Sequence, residues 1–229
     1  MAQLREHPLS LDGILGLMFF RSMSIPSSTP QMNICVYCGS QPGRNPAYRE
    51  AARILGQTMA ASGIGLVYGG GTRGIMGTVA DAVMSNGGKV TGIIPEFLMD
   101  KEATRHSLGQ LDELVVTADM HERKHLMFDR SDAFVALPGG IGTLEEIIEI
   151  MTWAQLGRHT KPIVLADVGN FWKPLESLID HMKDQGFIHT AHLVQPLVIS
   201  DPAQIVPAVQ NLLAQAAPQD GDSAVIENL

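Results

Sequence analysis

Basic residues are scarce in this chain of 229 residues, where 16 lysines and arginines face 24 aspartates and glutamates and give a formal net charge of −8. A protein that neutralises many phosphates normally carries a basic stripe, and this sequence has none. General nucleic-acid binding is therefore not expected. A single anionic ligand is compatible with this balance, because backbone N–H groups and one or two cations can hold it.

Cysteine is limited to Cys35 and Cys38. Their CxxC spacing also occurs in thioredoxin-like redox motifs, which is the less favoured alternative here. Both lie in the apolar run ICVYC, which is typical of a strand, and strand side chains three positions apart point to opposite faces. We therefore interpret them as two buried strand cysteines. No second pair of ligands follows at finger-like spacing, so no metal site is predicted.

Long hydrophobic runs are also lacking. The apolar stretch GILGLMFF at 13–20 is too short to span a bilayer, and no clean basic region precedes it. We expect residues 1–30 to be a loosely packed extension that ends in the linker SIPSSTP at 24–30. The alternative is an artefact of start-site assignment, with Met23 or Met32 as the start. No membrane segment is predicted, a cytoplasmic location is expected, and the tail at 216–229 is expected to be mobile because it has little to bury.

From Gln31 onward, short apolar runs alternate with longer amphipathic segments, a pattern that predicts repeated βα units around a parallel sheet. Helices are expected from about 46 to 62, 74 to 86, 119 to 130, 142 to 156, 171 to 185 and 202 to 215. Strands are predicted near 33–38, 65–68, 89–94, 113–117, 133–137, 162–166 and 196–199. The pattern indicates one doubly wound α/β domain over 31–215, with its ligand crevice beyond the carboxyl ends of the strands.

Three predicted strand ends carry glycine-rich turns: Gly39-Ser40, GGGTRGIMG at 69–77 and PGGIGT at 138–143. In a parallel sheet all three open on the same edge. Glycine allows close approach to a ligand, and the following helix N-termini present unpaired N–H groups, so phosphate is the predicted occupant. Tight turning alone is the simpler alternative. The loops fit neither GxxxxGK[ST] nor GxGxxG in register, which argues against a P-loop nucleotidase and a dinucleotide redox enzyme.

The segment HERK at 121–124 places Arg123 and Lys124 in the first turns of a helix that Asp119 and Glu122 begin as a capping box. Cations at this end oppose the helix dipole. We therefore expect them to meet an anionic ligand or a carboxylate, with a solvated helix face as the alternative.

Glu145 and Glu146 lie just inside the helix that Gly142 or Thr143 is expected to open. A carboxylate suits this end of a helix without any function. The apolar stripe that should seat the helix consists of Leu144, Ile147, Ile148 and Met151. Periodicity alone does not decide which glutamate faces the crevice.

HERK followed by PGGIGTLEE resembles the paired motif of the LOG ("Lonely guy") cytokinin-activating enzymes, in which an Arg-Lys pair precedes PGGxGTxxE. The segments CVYCGS at 35–40, LVYGGGTRGIMG at 66–77, IIPEFL at 93–98 and TWAQLG at 152–157 look like the same family. The resemblance extends from about Asn33 to Ile188.

This resemblance implies a Rossmann-like homodimer that hydrolyses N6-substituted adenosine 5′-monophosphates to the free base and ribose 5-phosphate, with no cofactor. Members are often labelled lysine decarboxylases, but that reaction normally needs a lysine bound to PLP, and no lysine here has such a setting. Two alternatives stay open. One is hydrolysis of plain AMP or another purine monophosphate, and the other is a non-catalytic nucleotide-binding or sensor module of the same fold.

Carried over to this sequence, the family motif makes Arg123 and Glu146 the catalytic candidates. Departure of a base leaves positive charge on the ribose, which a carboxylate can stabilise, while an arginine binds ligand oxygens and holds the carboxylate. Glu102 is expected to contact the base or the ribose. The predicted substrate-binding residues are Gly39, Ser40, Gly70, Gly71, Thr72, Glu102, Lys124, Pro138, Gly139, Gly140, Gly142, Thr143 and Thr152.

Overall fold

The computed structural model describes residues 31–103, 108–188 and 196–216. These residues form a sheet of seven parallel strands, which confirms the predicted α/β fold. Each strand begins and ends within one residue of its predicted bounds. The strands are β1 (Asn33–Tyr37), β2 (Gly65–Tyr68), β3 (Val90–Pro95), β4 (Glu113–Thr117), β5 (Ala133–Ala136), β6 (Ile163–Ala166) and β7 (Leu197–Ile199). The expectations for residues 1–30 and for the tail beyond 216 lie outside the described residues.

The order of the strands fixes where a ligand crevice can form. The sheet reads β4-β3-β2-β1-β5-β6-β7. The chain winds outward from β1 to the β4 edge and then returns to place β5 on the other side of β1. In such sheets the crevice lies where the winding direction reverses, beyond the carboxyl ends of the strands. The turns that follow β1 and β5 therefore flank the expected site.

Helices cover both faces of the sheet. Their bounds are α1 (Ala47–Ala61), α2 (Gly74–Ser85), α3 (Glu96–Glu102), α4 (Met120–Asp129), α5 (Ile141–Gln155), α6 (Lys173–Asp184) and α7 (Ile205–Ala216), with 3₁₀ turns at Val168–Asn170 and Pro202–Gln204. Side chains of α1, α2 and α7 build the core on one face, and those of α4, α5 and α6 build it on the other. No helix among the described residues is long and apolar enough to cross a membrane.

The alternation of side chains along β1 divides the two cysteines. Cys35 packs into the core beneath α5, whereas Cys38 packs into the core beneath α1 and α2. Both are buried free thiols. The prediction that they point to opposite faces of the sheet is confirmed, as the strand geometry requires.

Three sequence predictions need correction. The short helix α3 was not predicted, because it follows directly on Pro95, the last residue of β3. Helix α5 begins at Ile141 with Gly140 as its N-cap, earlier than the predicted opening at Gly142 or Thr143, because Gly140 carries no side chain that could signal a cap. The predicted apolar stripe of α5 was partly wrong: Leu144 and Ile148 are only half-buried, and the buried positions are Thr143, Glu146, Ile147, Ile150, Met151 and Ala154.

Candidate functional site

The three glycine turns meet at the carboxyl edge of the sheet, as predicted. The N–H of Gly39 donates to the carbonyl of Pro138 at 3.2 Å, and the carbonyl of Gly39 accepts from the N–H groups of Ile75 and Met76 at 3.0 and 3.2 Å. Gly74 has a φ of +63°, and a Cβ at this position would lie 2.4 Å from the carbonyl of Ser40. The packing of these turns on one another therefore requires glycine at position 74.

A cavity of about 270 Å³ opens beside these turns, on the β1–β5 side of the sheet edge. Its wall combines backbone of the glycine turns with side chains from β1, α2, α4 and α5. The lining residues are Val36, Tyr37, Cys38, Gly39, Ser40, Gly69, Met76, Arg123, Met127, Gly140, Ile141, Gly142, Thr143 and Glu146. The two catalytic candidates thus line one cavity at the place that the strand order indicates.

Arg123 and Glu146 form a buried ion pair in this wall. The Nη2 atom of Arg123 lies 3.2 Å from Oε1 of Glu146, and the two side chains are 7% and 9% exposed. The Nε–H of Arg123 also donates to the carbonyl of Ile93 at 3.2 Å. Burial removes water from both charges, so the ion pair stabilises each of them, and loss of either partner would be strongly destabilising.

The position of Arg123 follows from how α4 begins. Oδ1 of Asp119 accepts from the N–H groups of His121 and Glu122 at 2.8 and 2.9 Å. Oε2 of Glu122 accepts from the N–H of Ala118 at 2.8 Å, one residue before the N-cap. This arrangement confirms the predicted helix start and fixes the first turn of α4. Arg123 is the fourth residue of α4, and its side chain is buried inside the protein.

Gly69 permits the close approach of the arginine. A Cβ at this position would lie 2.2 Å from Nη2 of Arg123 and 3.4 Å from the sulfur of Met76. Gly69 was not among the predicted site residues, because a run of three glycines gives no sign of which one a side chain crosses. Met76 and Met127 also line the cavity and were not predicted.

Helix α5 presents its first backbone donors to the cavity. The N–H of Leu144 bonds to the carbonyl of Gly140 at 3.0 Å. Within the described part of the chain, no acceptor contacts the N–H groups of Ile141, Gly142 or Thr143. In α2, by contrast, the carbonyl of Gly39 already occupies the corresponding donors. The open helix N-terminus at this site is therefore that of α5.

The other titratable groups of the wall are held neutral. Burial raises the pKa of Cys38 in the wall far above the ordinary thiol value, and it does the same for Cys35 in the core on the other face of the sheet. Burial also raises the pKa of the Tyr37 phenol well above its usual value. A reactive redox cysteine needs the opposite shift, so the environment of the CxxC segment works against redox chemistry. Arg123 and Glu146 carry the charge in this wall.

The structure brings together only part of the predicted site. Gly39, Ser40, Gly140, Gly142 and Thr143 line the cavity together with Arg123 and Glu146. Pro138 and Gly139 line a neighbouring cavity of about 290 Å³ that also borders Gly39. Gly70 lies with a φ of +74° against Ile94, Gly71 packs on Met76, and Thr72 follows in the same turn.

Two further predicted residues, Lys124 and Thr152, do not line the cavity. Lys124 points toward Glu145 and Glu149. Thr152 is exposed, and its hydroxyl donates to the carbonyl of Ile148 at 2.7 Å. The side chain of Glu102 lies outside the described part of the structure. Over the described ranges, no group of three or more His, Cys, Asp or Glu side chains is arranged to hold a metal ion.

Comparison with known proteins identifies related sequences. The profile of the family described as possible lysine decarboxylase matches residues 76–209. A probable cytokinin riboside 5′-monophosphate phosphoribohydrolase of Oryza sativa subsp. japonica is 46% identical over 182 residues, 75% of this chain and 79% of the relative. A cytokinin riboside 5′-monophosphate phosphoribohydrolase of Arabidopsis thaliana is 50% identical over 155 residues, 68% of this chain and 67% of the relative. One of Rhodococcoides fascians is 44% identical over 184 residues, 80% of this chain and 91% of the relative.

Solved structures share the fold at lower identity. The Moco carrier protein of Chlamydomonas reinhardtii superposes with a TM-score of 0.61 at 23% identity and covers 81% of this chain and 99% of its own. The molybdenum cofactor binding protein of Rippkaea orientalis gives a TM-score of 0.59 at 21% identity, over 81% of this chain and 99% of its own. At these identities the likeness concerns the fold alone. The profile match and the plant and bacterial relatives establish that the chain belongs to the LOG family, within the group described as possible lysine decarboxylases.

Proposed function

We propose that the protein hydrolyses the N-glycosidic bond of adenosine 5′-monophosphates, N6-substituted ones included, and releases the free base and ribose 5-phosphate. The observation that carries this proposal is the buried Arg123–Glu146 pair, which lies in one cavity wall with the open N-terminus of α5. The names of the relatives, cytokinin riboside 5′-monophosphate phosphoribohydrolases, support the same reaction.

The 5′-phosphate is assigned to the PGGIGT turn. The N–H groups of Ile141, Gly142 and Thr143 are open donors at the positive end of α5, and such an end binds phosphate well. The GGGTRGIMG turn is the weaker candidate, because the carbonyl of Gly39 already accepts from the N–H groups of Ile75 and Met76 at the start of α2. Gly39 and Ser40 line the same cavity, beside the PGGIGT turn, and would bind the sugar-phosphate.

The chemistry is assigned to Glu146. Its carboxylate lies one helical turn after Thr143, so a nucleotide held by its phosphate at the start of α5 would present its ribose to this side chain. As the bond to the base breaks, the ribose gains positive charge, and a fixed carboxylate in a dry site stabilises that charge. The same carboxylate can orient the attacking water. Binding energy from the phosphate would keep the sugar in place.

Arg123 is assigned two tasks. Its guanidinium holds Glu146 at 3.2 Å and offsets the cost of burying the carboxylate charge. Its remaining donors can bind ligand oxygens. Some predicted residues in the glycine turns do not line this cavity and would act by shaping the turns. They are Gly70, Gly71, Thr72, Pro138 and Gly139. Contacts from Glu102 to the base or ribose and from Thr152 to the substrate remain proposals carried by the family motif.

The experiment is chromatographic detection of free base after incubation of the purified protein with AMP, isopentenyladenosine monophosphate and isopentenyladenosine. Release from the two monophosphates but not from the riboside is expected, because the phosphate supplies the binding energy. The ratio of the two rates defines the preferred base. Tight AMP binding without base release would overturn the proposal and favour the non-catalytic binding module.

A cytoplasmic homodimer is proposed on the strength of the family resemblance. The acidic balance of 24 acidic against 16 basic residues supports a small-molecule ligand rather than nucleic acid as the partner. Sedimentation of the full chain tests the oligomeric state, with a mass near twice 24.7 kDa expected. A monomer at micromolar concentration would contradict the dimer.

A further inference from the structure

Lys124 lies beside the catalytic pair but faces another way. Its ammonium Nζ contacts Oε1 of Glu145 at 2.6 Å and Oε1 of Glu149 at 3.1 Å, and its side chain is 12% exposed. It lines a separate surface depression with His121, Glu122, His125, Glu149 and Trp153 rather than the cavity of Arg123. The lysine of the Arg-Lys pair is thus engaged by two carboxylates outside the proposed substrate site.

Three ion pairs therefore connect the same two helices. Arg123 and Lys124 are neighbours on α4, and Glu146 and Glu145 are neighbours on α5. The pair Arg123–Glu146 lies in the cavity wall, and the two pairs of Lys124 lie outside it. The catalytic candidates contact each other at 3.2 Å, between Nη2 of Arg123 and Oε1 of Glu146. The distance between these two atoms depends on how α5 is placed relative to α4, because each helix carries one of the two side chains.

We propose that Lys124 is a positioning residue, which holds α5 against α4 through Glu145 and Glu149 so that Glu146 stays in contact with Arg123. Burial alone lowers the pKa of Lys124, but the two carboxylates outweigh burial and keep the pKa above its ordinary value, so the ammonium stays charged at neutral pH. A displacement of about 1 Å in a catalytic group can cost roughly 100-fold in rate. The inference rests on the proposed hydrolysis for its kinetic consequences.

The kinetic test compares Lys124→Met, Lys124→Arg, Glu149→Gln and the double variant Lys124→Met/Glu149→Gln. If Lys124 positions α5, Lys124→Met should lower kcat for AMP about tenfold and change KM less than about twofold. Lys124→Arg should restore most of kcat, because it can still bridge the carboxylates. Glu149→Gln should lower kcat in the same sense, and the double variant should be no slower than Lys124→Met, because both changes break one contact.

The alternative role of Lys124, a direct contact with substrate phosphate, gives the opposite pattern. In that case KM would rise with kcat retained, and Glu149→Gln alone would leave both constants unchanged. This pattern would overturn the proposal. Lys183→Met is the matched control, because Lys183 forms an exposed ion pair with Asp180 at 3.1 Å on α6, away from the cavity. It should leave kcat and KM unchanged.

A second readout does not need turnover and so separates this inference from the proposed reaction. The Nε–H of Arg123 is buried and donates to Ile93, so its ¹H–¹⁵N resonance reports on the guanidinium and can be assigned by its loss in Arg123→Lys. We expect this resonance to shift in Lys124→Met and in Glu149→Gln but not in Lys183→Met. An unmoved resonance in the first two variants would overturn the positioning role, whatever the wild-type activity.

Discussion

Oε1 of Glu146 lies 3.2 Å from Nη2 of Arg123, although the helices that carry them follow strands in different parts of the sheet. Helix α4 follows the edge strand β4, whereas α5 follows β5, next to the central β1. The long arginine side chain bridges this gap: its Nε–H bonds to Ile93 of β3, and its Nη2 passes Gly69 at the end of β2. The pair thus depends on the whole carboxyl edge of the sheet.

Gly69→Ala should weaken catalysis by displacing Arg123. The new Cβ would lie 2.2 Å from Nη2, so the guanidinium must move away from Glu146. We expect kcat for AMP to fall about tenfold or more, since small displacements of a catalytic group are costly. Steady-state kinetics measure the effect, and circular dichroism checks that the variant is folded.

A glycine outside the cavity provides the control for that change. Gly186 has a φ of +79° and open space around it, so Gly186→Ala strains the backbone without touching the site. It should lose about 1 kcal/mol of stability and keep its kcat. Equal losses of kcat in the two variants would show that general destabilisation, not displacement of Arg123, explains the result.

Ile141→Pro tests the phosphate assignment by removing one backbone donor. Proline suits the first position of a helix, and Gly140 before it is extended, as a residue preceding proline should be. The Ile141 side chain is 82% exposed, so little packing is lost. We expect the Kd for ribose 5-phosphate, measured by calorimetry, to rise about tenfold or more, since a hydrogen bond to a charged group contributes roughly 1.5–3 kcal/mol.

Ile141→Ala is the matched variant for this experiment, because it keeps the N–H and loses only the exposed side chain. It should bind ribose 5-phosphate nearly as well as the wild type. If Ile141→Pro binds equally well too, the phosphate does not rest on the start of α5.

The buried thiols predict a loss of stability at high pH. Burial raises the pKa of Cys35, so above the unfolded thiol value of about 8.5 the folded chain keeps a proton that the unfolded chain releases. The free energy of unfolding should therefore fall as pH rises, by up to about 1.4 kcal/mol per pH unit for each such thiol. Urea unfolding of the wild type and Cys35→Ala at pH 7.5 and 10 measures this, and the variant should lose less stability. Equal losses would contradict it.

Much of the fold follows from local patterns. The strands β1, β2, β5 and β6 are buried on both faces, and their uninterrupted apolar runs, such as LVY at 66–68, identify them without tertiary information. The start of α4 was also predictable, since Asp119 and Glu122 carry a side-chain cap. The start of α5 was not, because Gly140 caps that helix with backbone alone.

The site was harder to derive because tertiary packing decides it. Hydrophobic periodicity predicted that Leu144 and Ile148 are buried. It did not indicate which of Glu145 and Glu146 faces the cavity. In the fold, α5 is rotated so that Glu146 lies inward with Ile150, while Glu145 stays half-exposed beside Lys124. The rotation follows from packing of α5 on β1 and β5, which the segment TLEEIIEIM does not encode by itself.

The most direct test of the account is the turnover of Glu146→Gln, measured as adenine released from AMP. The amide keeps the shape and can still accept a hydrogen bond from Arg123, so the fold should persist, but the negative charge that stabilises the ribose is gone. We expect kcat to fall about 100-fold or more, while Glu50→Gln, an exposed change on α1, leaves kcat unaltered. Turnover of Glu146→Gln close to that of the wild type would contradict the assignment of Glu146 as the catalytic carboxylate.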